Sequence, residues 1–105
     1  MTEATISTTP YALVRENTWL SRDFMDFGWG NGYVAIPKGH PWYEKHYRDL
    51  EDVEINGGLT YSEMEGEMWV IGFDTAHAWD TLQIWPKEAV EEETHKLLQQ
   101  VLAHS

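Results

Sequence analysis

The chain contains no cysteine in its 105 residues. That excludes a disulfide framework, thiolate metal ligands and any thiol nucleophile. Basic residues are scarce as well. Seven Lys and Arg stand against 18 Asp and Glu, a formal net charge of −11. Such a surface repels phosphate backbones, so nucleic-acid backbone binding is not expected. Anionic membrane surfaces are disfavoured on the same ground, and no apolar run approaches the ~20 residues of a membrane span. The first ten residues, ending in Pro10, lack the basic and apolar regions of a secretory leader. A reducing cytoplasm is therefore the expected compartment. No serine stands in a nucleophile elbow. Gly28-Trp-Gly-Asn-Gly32 has neither the spacing of a dinucleotide fingerprint nor a P-loop lysine.

What the chain has in excess is aromatic surface: six Trp and five Tyr within a 13% aromatic fraction. Rings that bury ~150–250 Å² each can build a core from few residues or line a pocket. The length corresponds to one domain. Residues 1–10 are expected to form a flexible tail and 11–105 a single α+β domain. Its small, mainly antiparallel sheet is expected from 33–36, 53–62, 67–73 and 82–85, with a strand at 11–15 or a short helix at 18–27 before it. Met68-Trp-Val-Ile-Gly-Phe73 is the most apolar run and reads as a central strand. Gly28–Gly32 reads as a loop, 42–50 as one or two helical turns, and Glu63–Glu67 as a charged turn. Pro86 opens the clearest helix, 86–103. Val90, Thr94, Leu97 and Val101 recur at spacings of 4, 3 and 4, one apolar stripe to pack on the sheet.

Two segments carry candidate chemistry. Asp74, His77 and Asp80 follow the central strand at intervals of three, a spacing that brings side chains to one face of a helical turn. Carboxylates and an imidazole together can hold a divalent metal ion or share a proton. His40 or His46 could join them if the fold allowed. Equally, Asp74 or Thr75 could cap a turn and His77 satisfy a backbone carbonyl. The second segment sets Lys38, Lys45 and Arg48 among Trp42, Tyr43, His46 and Tyr47. Rings that stack on a base and cations that meet phosphate suit a nucleotide-like ligand. Those cations could also merely neutralise Glu44, Asp49, Glu51 and Asp52. The ligand-binding set is thus expected to be Tyr43, His46, Tyr47, Arg48, Asp74 and His77, with Asp74, His77 and Asp80 as the metal alternative. The acidic surface also admits a basic protein partner, through inhibition or nucleic-acid mimicry, and the Trp-rich surface admits a homodimer.

The string Gly30-Asn-Gly-Tyr-Val-Ala-Ile-Pro-Lys-Gly-His-Pro41, then Asn56-Gly-Gly-Leu-Thr-Tyr-Ser62, then Trp69-Val-Ile-Gly-Phe-Asp-Thr-Ala-His77, resembles a family of small proteins from phages, prophages and bacterial mobile elements. The resemblance spans roughly residues 30 to 100. Two positions depart from its pattern: Trp79, where Gly is frequent, and Asn56, where His is frequent. The resemblance implies a phage origin and a host-cell cytoplasmic site of action. By analogy with small acidic phage proteins, it implies sequestration of a nucleotide or nucleotide-derived host-defence signal. A metal-dependent hydrolase built on the Asp/His cluster is the enzymatic alternative.

Overall fold

The computed structural model describes residues 9–18, 27–50, 52–77 and 80–104. The expected tail at 1–8 and most of the alternative helix at 18–27 lie outside these residues. Strands β1 (Tyr11–Glu16), β2 (Gly30–Ile36), β3 (Tyr61–Glu65) and β4 (Met68–Phe73) form one sheet in the order β1-β2-β4-β3. Every pairing is antiparallel. Glu16 lies opposite Gly30, Val34 opposite Ile71, and Tyr61 opposite Gly72. A two-residue turn joins β3 to β4, with Gly66 at φ 64, a value that glycine adopts without strain.

The run of β4 is continuously apolar because both faces of the sheet are covered at its centre. Val34, Ile36, Ile71 and Phe73 pack in one cluster with the helix residues, whereas Tyr33, Ala35, Met68 and Val70 form a second cluster on the opposite face. Helix α1 (Lys87–Ala103) lies on the first face and buries Val90, Thr94, Leu97 and Val101, the expected stripe. Each apolar member contributes about 1.5–3 kcal/mol by leaving water. The helix approaches so closely that a Cβ on Gly32 would stand 2.0 Å from Thr94 Oγ1 and 2.5 Å from Phe73 Cε1. Pro86 is the cap of the helix rather than its first residue. Its carbonyl accepts from Ala89 and Val90 N–H.

Several local expectations are corrected. Gly30 and Gly32 are strand, not loop: both pair with β1, and glycine stands there because Arg15 O and Thr94 occupy the space where a side chain would stand. Residues 53–60 are irregular, and β3 begins at Tyr61, within the expected strand, and runs on through Glu63–Glu65 of the expected turn. Residues 82–85 form a turn closed by Trp85 N–H to Thr81 O, not a strand. The 42–50 segment does hold one helical turn as expected, the 3-10 turn Tyr47–Asp49. No helix among the described residues is long and apolar enough to cross a membrane.

Candidate functional site

The chain leaves β4 at Phe73 and turns sharply. Asp74 Oδ1 accepts from Ala76 N–H at 3.0 Å, the side-chain-closed turn typical of aspartate. Thr75 is fully buried and ties the turn to β2 by donating its hydroxyl to Gly30 O at 2.6 Å. Asp80, also fully buried, closes the loop. Its Oδ2 accepts from the His77 backbone N–H at 2.9 Å and from His77 Nδ1 at 2.7 Å. Its Oδ1 accepts from Asn56 Nδ2 at 3.3 Å. Asn56 N–H in turn donates to Glu93 Oε2 at 2.8 Å. A single network therefore joins the 74–80 loop, the 56–58 turn and α1.

The imidazole of His77 is the centre of this corner. Its Nδ1 lies 3.5 Å from Asp74 Oδ1 as well as 2.7 Å from Asp80 Oδ2. One ligand atom from each of Asp74, His77 and Asp80 falls within 4.8 Å of the others. Two atoms bound to one ion at about 2.0–2.2 Å stand at most about 4.4 Å apart, so the set would close slightly to share an ion. A carboxylate that holds one ring nitrogen fixes the orientation of the other, as in metal and acid–base histidines. None of the three residues is in a helix, and the interval between His77 and Asp80 is spanned by the Asp80 N–H bond to His77 O at 2.9 Å as well as by the bonds to the Asp80 carboxylate.

The other expected site residues make other contacts. Tyr43 donates its hydroxyl to Glu67 O at 3.0 Å, at the opposite end of β4 from Asp74. Six strand residues at about 3.3 Å each separate those ends, roughly 20 Å. The Tyr47 N–H donates to Ser62 Oγ at 3.1 Å, on the edge strand β3, where Ser62 lies opposite Ile71. His46 stacks on Tyr47 with ring centres 4.3 Å apart, and the Arg48 guanidinium lies 5.9 Å from the Tyr47 ring. Tyr43 is thus remote from Asp74, while His46, Tyr47 and Arg48 form a stacked group on the β3 side of the sheet. His40 is held away too. Its Nδ1 accepts from Trp42 N–H at 2.9 Å and its Nε2 donates to Val101 O at 2.8 Å, which fastens the 38–44 turns to the end of α1.

Asn56, Gly57 and Glu93 join the corner without having been singled out as ligands. No local signal ties them to it, since 24 residues separate Asn56 from Asp80. The strong proton-affinity shifts lie on the outer face of the sheet. There Tyr61 donates to Glu65 Oε2 at 2.5 Å, and this bond pushes the Tyr61 hydroxyl up to about 12. The same bond, with Arg15 beside it, holds Glu65 below the usual carboxylate range.

Comparison with family models, with curated proteins and with solved structures finds no match to this chain.

Proposed function

We propose that this is a phage-type small-ligand-binding protein whose recognition centre is the corner of Asp74, His77 and Asp80, and that a divalent cation is the group the corner takes first. One observation carries the reading: two carboxylates, one of them fully buried, lie within 3.5 Å of His77 Nδ1. Asp74 and Asp80 would each give a carboxylate oxygen and His77 a ring nitrogen. An acidic corner by itself repels an anionic ligand, so a nucleotide or nucleotide-derived signal would enter with a cation that bridges it to the protein. When bound, such an ion supplies charge stabilisation and lowers the pKa of a coordinated water, the chemistry of the hydrolase alternative.

The motif string that resembles phage and prophage proteins supports assigning the bound signal to host defence. The stacked His46, Tyr47 and Arg48 layer favours a second reading, in which a planar anionic ligand stacks there instead. Native mass spectrometry with and without a chelator tests the two. Metal retained in wild type and lost in His77→Ala supports the corner. A nucleotide-sized adduct that survives His77→Ala but not Arg48→Ala transfers the site to the second group.

A further inference from the structure

A different region of the molecule carries the features of a docking groove. Between β1 and α1 runs an open cleft of about 290 Å³, lined by Ala12, Leu13, Val14, Glu91, Thr94 and His95. One wall is an edge strand. Among the described residues β1 pairs with β2 alone, so its other side presents main-chain N–H and C=O groups to the cleft. The opposite wall is helix. Thr94 is buried toward the strand, while Glu91 and His95 rise on either side of it and are exposed. An edge strand facing a helix across an apolar cleft is the arrangement in which an extended segment adds as a further strand. Main-chain bonds then give affinity and the cleft accepts alternate side chains.

The charge around the cleft selects the occupant. Glu88 lies one turn before Glu91 on the same helix face, and both are exposed. Strand alternation places Glu16 on the face of Val14, toward the helix. The basic side chains nearby are directed elsewhere. Arg15 projects to the opposite face and pairs with Glu65, and Lys87 lies over the Trp29 ring. The rim is therefore acidic, and two copies each carrying a net charge of −11 repel one another. We infer that the β1–α1 groove binds an extended, basic segment of a partner protein, with small apolar side chains alternating with Lys or Arg, as a strand added to the edge of β1.

The test uses the whole chain and a defined probe, the peptide acetyl-Lys-Val-Lys-Val-Lys-amide, followed by the amide chemical shifts of the protein. Saturable shifts centred on Ala12–Glu16 and Glu91–His95 are expected. Alternate N-methylation of the peptide removes main-chain donors and should weaken binding roughly tenfold. The exposed substitution Glu91→Lys should weaken it by about fivefold and reduce its salt dependence. Three results would overturn the inference. One is the absence of saturable shifts on β1. Another is equal binding of the N-methylated peptide, which would reduce the effect to general attraction by an acidic surface. The last is a set of β1 shifts that follows protein concentration without peptide, which would assign the edge to a second copy.

Discussion

The His77 ring rests directly against Gly57: a Cβ at that glycine would stand 2.4 Å from His77 Cε1 and 2.7 Å from Nε2. Gly57 also has φ +70, where an L side chain is strained. The 56–58 turn is therefore the wall on which the imidazole is oriented. Gly57→Ala is expected to cost about 1–2 kcal/mol from the backbone alone, seen as a Tm lower by roughly 4–15 °C. It should also displace the His77 ring resonances. A variant with wild-type Tm and unshifted His77 signals would contradict the packing.

Asp80 and Asp74 have different tasks, and their alanine variants should separate them. Asp80→Ala leaves the His77 N–H, His77 Nδ1 and Asn56 Nδ2 without their acceptor. About 2–3 kcal/mol of stability should be lost. Asp74 is a third exposed and accepts from Ala76 N–H alone among its backbone neighbours. Its replacement should cost no more than about 1 kcal/mol. Denaturant unfolding of both variants measures the difference, and equal losses would show that Asp80 does not anchor the loop.

The contact of Gly32 with α1 predicts a coupled pair. Gly32→Ala drives a methyl into Thr94 Oγ1 and Phe73 and should destabilise by about 1–3 kcal/mol. Thr94→Ala removes the nearest obstructing atom, so the double variant should recover part of that loss. Strict additivity in unfolding measurements would mean that the helix does not rest on the strand at this point.

On the outer face, the Tyr61–Glu65 bond sets a pH dependence at both extremes. Tyr61 is raised from 10.0 to about 12. The stability it contributes is whole below the unfolded value of 10.0 and is lost as pH rises toward about 12. Glu65 is depressed, so its contribution is present above the ordinary carboxylate range and is lost as pH falls through the folded value. Glu65→Gln should return the tyrosinate absorbance transition of Tyr61 toward 10.0. An unchanged transition would remove Glu65 as the cause.

Much of this fold was legible because local pattern and tertiary demand agree. The 4, 3, 4 spacing of Val90, Thr94, Leu97 and Val101 admits only a helix with one buried side, and the unbroken run 68–73 needs a strand covered on both faces. Disagreement arose where tertiary contacts decide. Tyr61–Glu65 carries two glutamates because it is an edge strand, and those charges made its end, Glu63–Glu65, look like a turn. Gly30 and Gly32 looked like a loop because the atoms that exclude their side chains, Arg15 O and Thr94 Oγ1, are remote in sequence. Leu82 and Ile84 alternate like a strand, yet both are exposed on a turn. The site divides in the same way. The interval Asp74, His77, Asp80 was readable, whereas the approach of Asn56 and Glu93 depends on the packing of α1. The aromatic and basic segment 43–48 was readable as a group, but the distance of Tyr43 from the corner was not.

Calorimetric titration of Mn²⁺ and Zn²⁺ into wild type, Asp74→Ala and His77→Ala measures whether the corner takes a cation. One saturable site per chain is expected in wild type. Each substitution should weaken it by roughly tenfold or more, while Asp74→Ala keeps nearly the wild-type Tm. Identical isotherms for the three proteins, or no saturable heat in wild type, would contradict it and leave the Asp74, His77 and Asp80 network as a structural fastening of the loop.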